Sequence, residues 1–224
     1  IFAMISASAL LTPTFVVAAW AMLKVMARCA IMPNHGTGHG NRDLSMGAAN
    51  SAAPLAKNGS SALVWYAIAG VVMAIDQVTK LYFEHNFQLY QTLDVLAPIF
   101  NFTLAHNYGA AFSFLADKGG WQKWLFSGLA LLVSVVLGWY LTHVPRIARV
   151  LSTGLALVMA GALGNLIDRV RLGYVIDFLH VHYGNVWHFP IFNIADVAIN
   201  IGVALILFDA FFLEKKRQPL QSSS

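Results

Sequence analysis

Four stretches of the chain are largely apolar and nearly free of charge. Residues 58–75, 124–142 and 150–167 contain no Asp, Glu, Lys or Arg, and 178–208 contains only Asp196. These runs are rich in Leu, Ala, Val and Gly and do not alternate with period two, so they predict helices rather than barrel strands. An apolar run of about 18 or more residues is the mark of a membrane-crossing helix. At about 1.5 Å per residue, helices near 61–80, 122–142, 148–167 and 190–212 each span about 30 Å of hydrocarbon. The expected fold class is an all-α polytopic membrane protein with a four-helix transmembrane core. Between the first two spans, Asn107-Tyr108-Gly109-Ala110-Ala111-Phe112-Ser113-Phe114-Leu115 sets small residues among aromatics. That pattern predicts a strand or turn at the membrane surface, and so a small strand-containing region outside the bilayer.

The first sixty residues read differently. Residues 1–23 are uncharged and mostly apolar, and 33–60 form a polar linker rich in Gly, Ser, Asn and Ala. Residues 1–60 are expected to be an extension with a candidate additional membrane helix over 1–23. A cleaved signal peptide fits less well, because no basic segment precedes the apolar run. The core is expected over 61–213, followed by a tail over 214–224.

Composition sharpens the picture. Of 224 residues, 58% are hydrophobic and 11% charged, where a soluble domain carries about a quarter charged. A soluble single-core domain is excluded. The net charge of +4 belongs to membrane topology rather than to a nucleic-acid surface. Arg146 and Arg149 lie in the short connection between the second and third spans, and Lys215, Lys216 and Arg217 follow the fourth. The positive-inside rule therefore sets that connection and both core termini in the cytoplasm, with residues 81–121 and 168–189 outside. One cysteine, Cys29, excludes an intrachain disulfide and supplies no metal or redox motif.

Ionisable groups in or beside spans are costly and tend to be functional. Asp76 and Lys80 are one helical turn apart and can pair. Asn165, Asp168 and Arg169 share a face at the end of the third span, where Gly161 and Gly164 allow close approach of another helix. Arg169 could clamp Asp168 or hold a lipid phosphate; a purely structural network is the alternative. Asp177 lies in the apolar run Tyr174-Val175-Ile176-Asp177-Phe178-Leu179, and Asp196 opens the fourth span three residues after Asn193. Neither has a Lys or Arg within four positions. Brought together, two such carboxylates would share one proton, the state an aspartic protease uses. Separate capping roles, ion coordination and proton transport are the competing readings. Asn107 is either a turn residue or a donor to a substrate carbonyl. His180, His182 and His188 raise the question of zinc, but no His-Glu-x-x-His motif occurs, and no metal or other cofactor is expected. Residues 182–188 read instead as an amphipathic interfacial stretch.

Together these residues resemble the bacterial lipoprotein signal peptidase (signal peptidase II) family. The likeness runs from about 61 to 213. It is carried by Asp76-Gln77-Val78-Thr79-Lys80, Asn107-Tyr108-Gly109-Ala110-Ala111-Phe112, Gly161-Ala162-Leu163-Gly164-Asn165-Leu166-Ile167-Asp168-Arg169, Val175-Ile176-Asp177-Phe178 and Phe192-Asn193-Ile194-Ala195-Asp196. The resemblance implies an inner-membrane aspartyl endopeptidase with its site near the outer face. It would cut the signal peptide from prolipoproteins before a diacylglyceryl-modified cysteine, in contact with membrane lipid and as a monomer. It implies Asp177 and Asp196 as catalytic residues, with Asp76, Lys80, Asn107, Asn165, Asp168, Arg169 and Asn193 as polar support.

Overall fold

The structure, a computed structural model, describes residues 56–109 and 121–217. Four helices have the length and composition to cross a membrane, over Gly59–Asn86, Lys123–His143, Arg149–Arg171 and Ile194–Arg217. Within them, α1 is Ala62–Asn86, α2 Trp121–His143, α3 Arg149–Arg171 and α4 Ile194–Phe208. A π-helical turn, Asp209–Leu213, carries α4 on into the short α5, Glu214–Arg217. The expected fold class is borne out, and the helices of the first and fourth spans have limits of their own. The first span does not end at Lys80. Asp76, Lys80 and Glu84 recur every fourth residue on one face, and each finds a partner on another element, so the helix continues past its apolar run. The fourth begins later than expected, at Ile194, because Asn193 caps it. It also runs into the basic tail, where Arg217 grips the buried Asp209 through two hydrogen bonds of 2.6 and 2.5 Å. The candidate helix over 1–23 lies outside the described residues.

Helix α3 is the central element: 67% of its most apolar stretch is buried inside the protein, against 17% for α1. Leu63, Val64, Val71 and Val78 of α1, and Leu131, Leu132 and Val135 of α2, are exposed on the outside of the bundle, as lipid-facing side chains must be. Small residues set the α3–α4 contact. A Cβ at Gly154 would lie 2.8 Å from the Gly202 carbonyl oxygen, and one at Gly202 would lie 2.7 Å from that of Gly154. Without a hydrophobic force between helices in lipid, such close backbone approach supplies the packing.

A four-stranded antiparallel sheet sits at one end of the bundle in the order β1–β2–β3–β4, with β1 Thr92–Leu96, β2 Phe100–Asn107, β3 Val175–Tyr183 and β4 Trp187–His188. Phe83 of α1, Leu104, Ile176 and Phe178 form a small core that fastens the sheet to α1, with Phe83 and Phe178 stacked at 4.3 Å. The stretch 182–188 forms the β3–β4 hairpin, turning at 184–186; Tyr183, Val186 and Trp187 are exposed on it. At the opposite end, buried Asn58 ties the start of α1 to the α2–α3 connection. Its Nδ2 donates to the Leu141 carbonyl at 3.0 Å and to Ser152 Oγ at 3.1 Å, and its backbone N–H to the Val144 carbonyl at 2.8 Å.

Candidate active site

At the sheet end of the bundle, the polar residues singled out along the chain converge. Lys80 is 1% exposed, and its Nζ lies 2.9 Å from Asp76 Oδ2, 2.9 Å from Asp168 Oδ2 and 2.9 Å from Asn165 Oδ1. The predicted i,i+4 pair is therefore half of a cross-helix centre. The Arg169–Asp168 clamp considered above does not form. Asp168 is occupied by Lys80, by Gln77 Nε2 at 3.0 Å and by the Ile176 backbone N–H at 3.2 Å. Arg169 instead donates to the Asn165 carbonyl at 3.3 Å and lies over the Phe126 ring at 5.6 Å. The carboxylates of Asp196, Asp177 and Asp168 are near enough to act on its charge through space.

Gly161 and Gly164 act in different directions. A Cβ at Gly161 would run into the Ala195 carbonyl, and one at Gly164 into the Asp76 carboxylate. The first glycine brings α4 against α3; the second makes room for α1's charge. Asp76 in turn accepts the Ala195 backbone N–H at 2.8 Å, so it holds the residue next to Asp196.

Asp177 and Asp196 meet through Asn193. As the N-cap of α4, Asn193 accepts the Asp196 N–H at 2.9 Å, and its own N–H donates to Asp196 Oδ2 at 3.3 Å. This reciprocal capping box fixes the side chain of Asp196. The Asn193 Nδ2 donates to Asp177 Oδ1 at 2.6 Å. The other oxygens are also held: Asn107 Nδ2 donates to Asp177 Oδ2 at 3.0 Å, and Asn165 Nδ2 to Asp196 Oδ1 at 2.9 Å. Among the described residues, each of the four carboxylate oxygens thus has one N–H donor, which leaves lone pairs for a reactant. Burial first, and the Asp196 carboxylate second, push Asp177 well above the usual carboxylate range. Hydrogen bonds from Asn107 and Asn193 and the charge of Lys80 oppose this. A buried carboxylic acid next to a carboxylate can both give and take a proton.

The histidines form a separate group. His180 and His182 lie on one face of β3, and His188 pairs with His182 across the hairpin. His180 and His188 are linked at 3.3 Å, while His182 Nε2 accepts from Asn101 Nδ2 at 3.1 Å. Burial and the neighbouring His188 and His182 push His180 down. Among the described residues, no three His, Cys, Asp or Glu side chains are arranged to hold a metal ion. Of the residues that sequence reasoning passed over, Gln77 bridges Asp76, Asp168 and the Gly164 carbonyl. A glutamine beside Asp76 inside an apolar helix was the available signal. Glu84 is the other, four residues beyond Lys80.

Fold and geometry together define a class: a multi-pass membrane protein with two aspartates joined through one asparagine at one end of its helix bundle. The comparisons with known proteins point the same way. A family model described as Signal peptidase (SPase) II matches residues 68–212. The lipoprotein signal peptidase of Acinetobacter baylyi is 52% identical over 155 residues, 69% of this chain and 86% of the relative. That of Pseudomonas syringae pv. tomato is 48% identical over 163 residues, 73% and 94%. A solved structure described as a bacterial membrane enzyme, determined in meso at 1.9 Å, superposes with a TM-score of 0.58 at 30% identity, covering 68% of this chain and 94% of that one. A second, at 2.3 Å, gives 0.57 at 28% identity, covering 74% and 95%. The chain belongs to the signal peptidase II family and is an aspartic-type membrane peptidase.

Proposed function

We propose that this chain removes the signal peptide from prolipoproteins immediately before a cysteine carrying diacylglycerol, with Asp177 and Asp196 as the catalytic pair. The observation that carries the assignment of the pair is the double engagement of Asn193, which bonds both carboxylates at once. The name carried by the relatives, lipoprotein signal peptidase, supports the substrate class. The peptidase core in this reading is 61–213, with 1–60 as an extension and 214–224 as a cytoplasmic tail. The site then faces the outer side of the inner membrane, opposite the arginines of the α2–α3 connection. One chain supplies both carboxylates, so a monomer suffices.

The chemistry follows from sharing one proton between the pair. The ionised carboxylate takes a proton from water as the water oxygen bonds to the scissile carbonyl carbon. The protonated partner gives its proton to the carbonyl oxygen. When the tetrahedral adduct collapses, the C–N bond breaks and the amine leaves with a proton from the pair. The two aspartates act as a unit, and the proton belongs to both. Arg169, which spends one donor on the Asn165 carbonyl among the described residues, and a substrate carbonyl are natural partners. Asn107 spends one of its two amide N–H donors on Asp177, and its oxygen accepts the Gly109 N–H at 2.9 Å, so it aims Asp177 and has a second donor for a substrate carbonyl. Asn165 aims Asp196.

Purified protein in detergent, incubated with a diacylglyceryl-modified prolipoprotein, tests this directly. Asp177→Asn and Asp196→Asn should each fold and insert, yet lower the cleavage rate by about 10²–10⁴-fold or more. Strong residual activity in a correctly inserted variant would remove that residue from the pair.

A further inference from the structure

The charge stripe on α1 has a third member that the chemistry above does not use. Glu84 follows Asp76 and Lys80 at the same four-residue spacing, so all three share a face of α1. Asp76 holds the start of α4 through the Ala195 N–H. Lys80 holds the end of α3 through Asp168 and Asn165. Glu84 holds the sheet. One carboxylate oxygen bonds His106 Nε2 of β2 at 3.0 Å, and the other accepts from the Tyr174 hydroxyl at 2.9 Å, next to β3. The two rings stack at 3.9 Å with 19° between their planes. Glu84 and His106 are 24% and 17% exposed, so water competes only weakly for the contact.

The positions held are those beside the catalytic geometry. His106 precedes Asn107, and Tyr174 lies three residues before Asp177. Across the β2–β3 ladder His106 pairs with Ile176, Asn107 with Val175 and Ala105 with Asp177. Successive strand residues point to opposite faces, so Glu84 grips the back of the strand whose front carries Asn107. Burial and the bond to Glu84 push the Tyr174 hydroxyl up to about 12. It therefore stays a donor throughout the working pH range.

We propose that Glu84, through His106 and Tyr174, is a positioning residue that fixes the Asn107–Asp177 contact, making α1 a common reference for α3, α4 and the sheet. The inference rests on the reading of Asp177 as catalytic. Releasing Glu84 lets β2 and β3 shift on α1 and lengthens the bond from Asn107. Because that bond favours the ionised carboxylate, its loss moves the higher apparent pKa of the pair upward. The groups acting on Asp177 are Asp196, Asn107, Asn193 and Lys80, with Arg169 of α3 as a further cation, and apart from Asn107 none of them is altered in the variant.

The test compares wild type with Glu84→Ala, Glu84→Gln and Tyr174→Phe in detergent. Glu84→Ala should lower kcat about tenfold, since sub-ångström misplacement near reacting atoms is costly, and leave KM within about twofold. Glu84→Gln, which keeps an acceptor for Tyr174 and a polar group for His106, should restore most of the rate. Tyr174→Phe should fall between, and combined with Glu84→Ala should add little. The second measurement needs no substrate. The carboxylic acid stretch of Asp177 in the infrared spectrum, recognised by its loss in Asp177→Asn, is titrated in each variant. Its midpoint should move to higher pH in Glu84→Ala and return in Glu84→Gln. An unchanged midpoint together with unchanged kcat overturns the proposal, even if the variant is less stable. A shifted midpoint in a protein that does not cleave the modified precursor would overturn the proposed function and leave the positioning role standing.

Discussion

Replacing Lys80 by methionine puts the buried charge centre to its hardest test. The side chain is 1% exposed and contacts two carboxylates and an amide, each at 2.9 Å. Methionine fills the space of the stem without the ammonium. Asp76 then keeps the Ala195 N–H and Gln77, and Asp168 keeps the Ile176 N–H and Gln77. Two carboxylates are left facing each other in a buried site with no cation between them. Removing one partner of a buried pair costs about 3–5 kcal/mol; the surviving hydrogen bonds place this case near about 3 kcal/mol. Reversible unfolding in mixed micelles of detergent and dodecyl sulfate measures the loss. The decisive comparison is Asp168→Asn in both backgrounds. Beside Lys80 it removes a partner and should destabilise; in Lys80→Met it removes an uncompensated charge and should restore about 1–2 kcal/mol. If Asp168→Asn has the same sign in both, or if Lys80→Met costs under about 1 kcal/mol as a surface pair would, the centre is not electrostatic in the way described.

Further outcomes follow from the same contacts. Asp177 is held above its ordinary value. A carboxyl raised on folding contributes stability at pH below its unfolded value of about 3.9, and this is lost as pH rises through the folded value. Wild type should therefore lose stability relative to Asp177→Asn as pH rises from acid, and a gap independent of pH would refute the assignment. Gly161→Ala drives a methyl into the Ala195 carbonyl and should cost about 1–3 kcal/mol in the same unfolding assay, while Gly173→Ala, with open space around it but a φ of +91°, should cost about 1 kcal/mol. Asn193→Ala removes the cap of α4 and the link between the aspartates. It should lower stability by about 1 kcal/mol but lower the cleavage rate far more, and a rate loss no larger than the stability loss would count against the shared role of Asn193.

Much was legible along the chain. Long apolar runs dictate helices because a backbone in lipid must satisfy its own hydrogen bonds, and so few charges in so apolar a chain make each one conspicuous. That reasoning reached Asp76, Lys80, Asn165, Asp168, Asn193, Asp177 and Asp196, all of which the fold gathers at one end of the bundle. It also reached the local pairs, since Asp76–Lys80 depends only on helical periodicity. It did not reach Glu84 or Gln77, whose partners His106, Tyr174 and Gly164 lie 22, 90 and 87 residues away.

What only the tertiary structure decided was who bonds whom. From sequence, a clamp on neighbouring Asp168 was one option for Arg169; in the fold Lys80 takes Asp168 from across the helix pair, and Arg169 bonds the Asn165 carbonyl and lies over Phe126. Nor could spacing say that Asp177, on a strand, and Asp196, on a helix, share Asn193. Patterning along a chain fixes which residues must be buried, because burial is a property of one residue and its near neighbours. Pairing among buried polar groups depends on distances set by helix packing, here by glycines at 154, 161, 164 and 202, and only the assembled backbone supplies those.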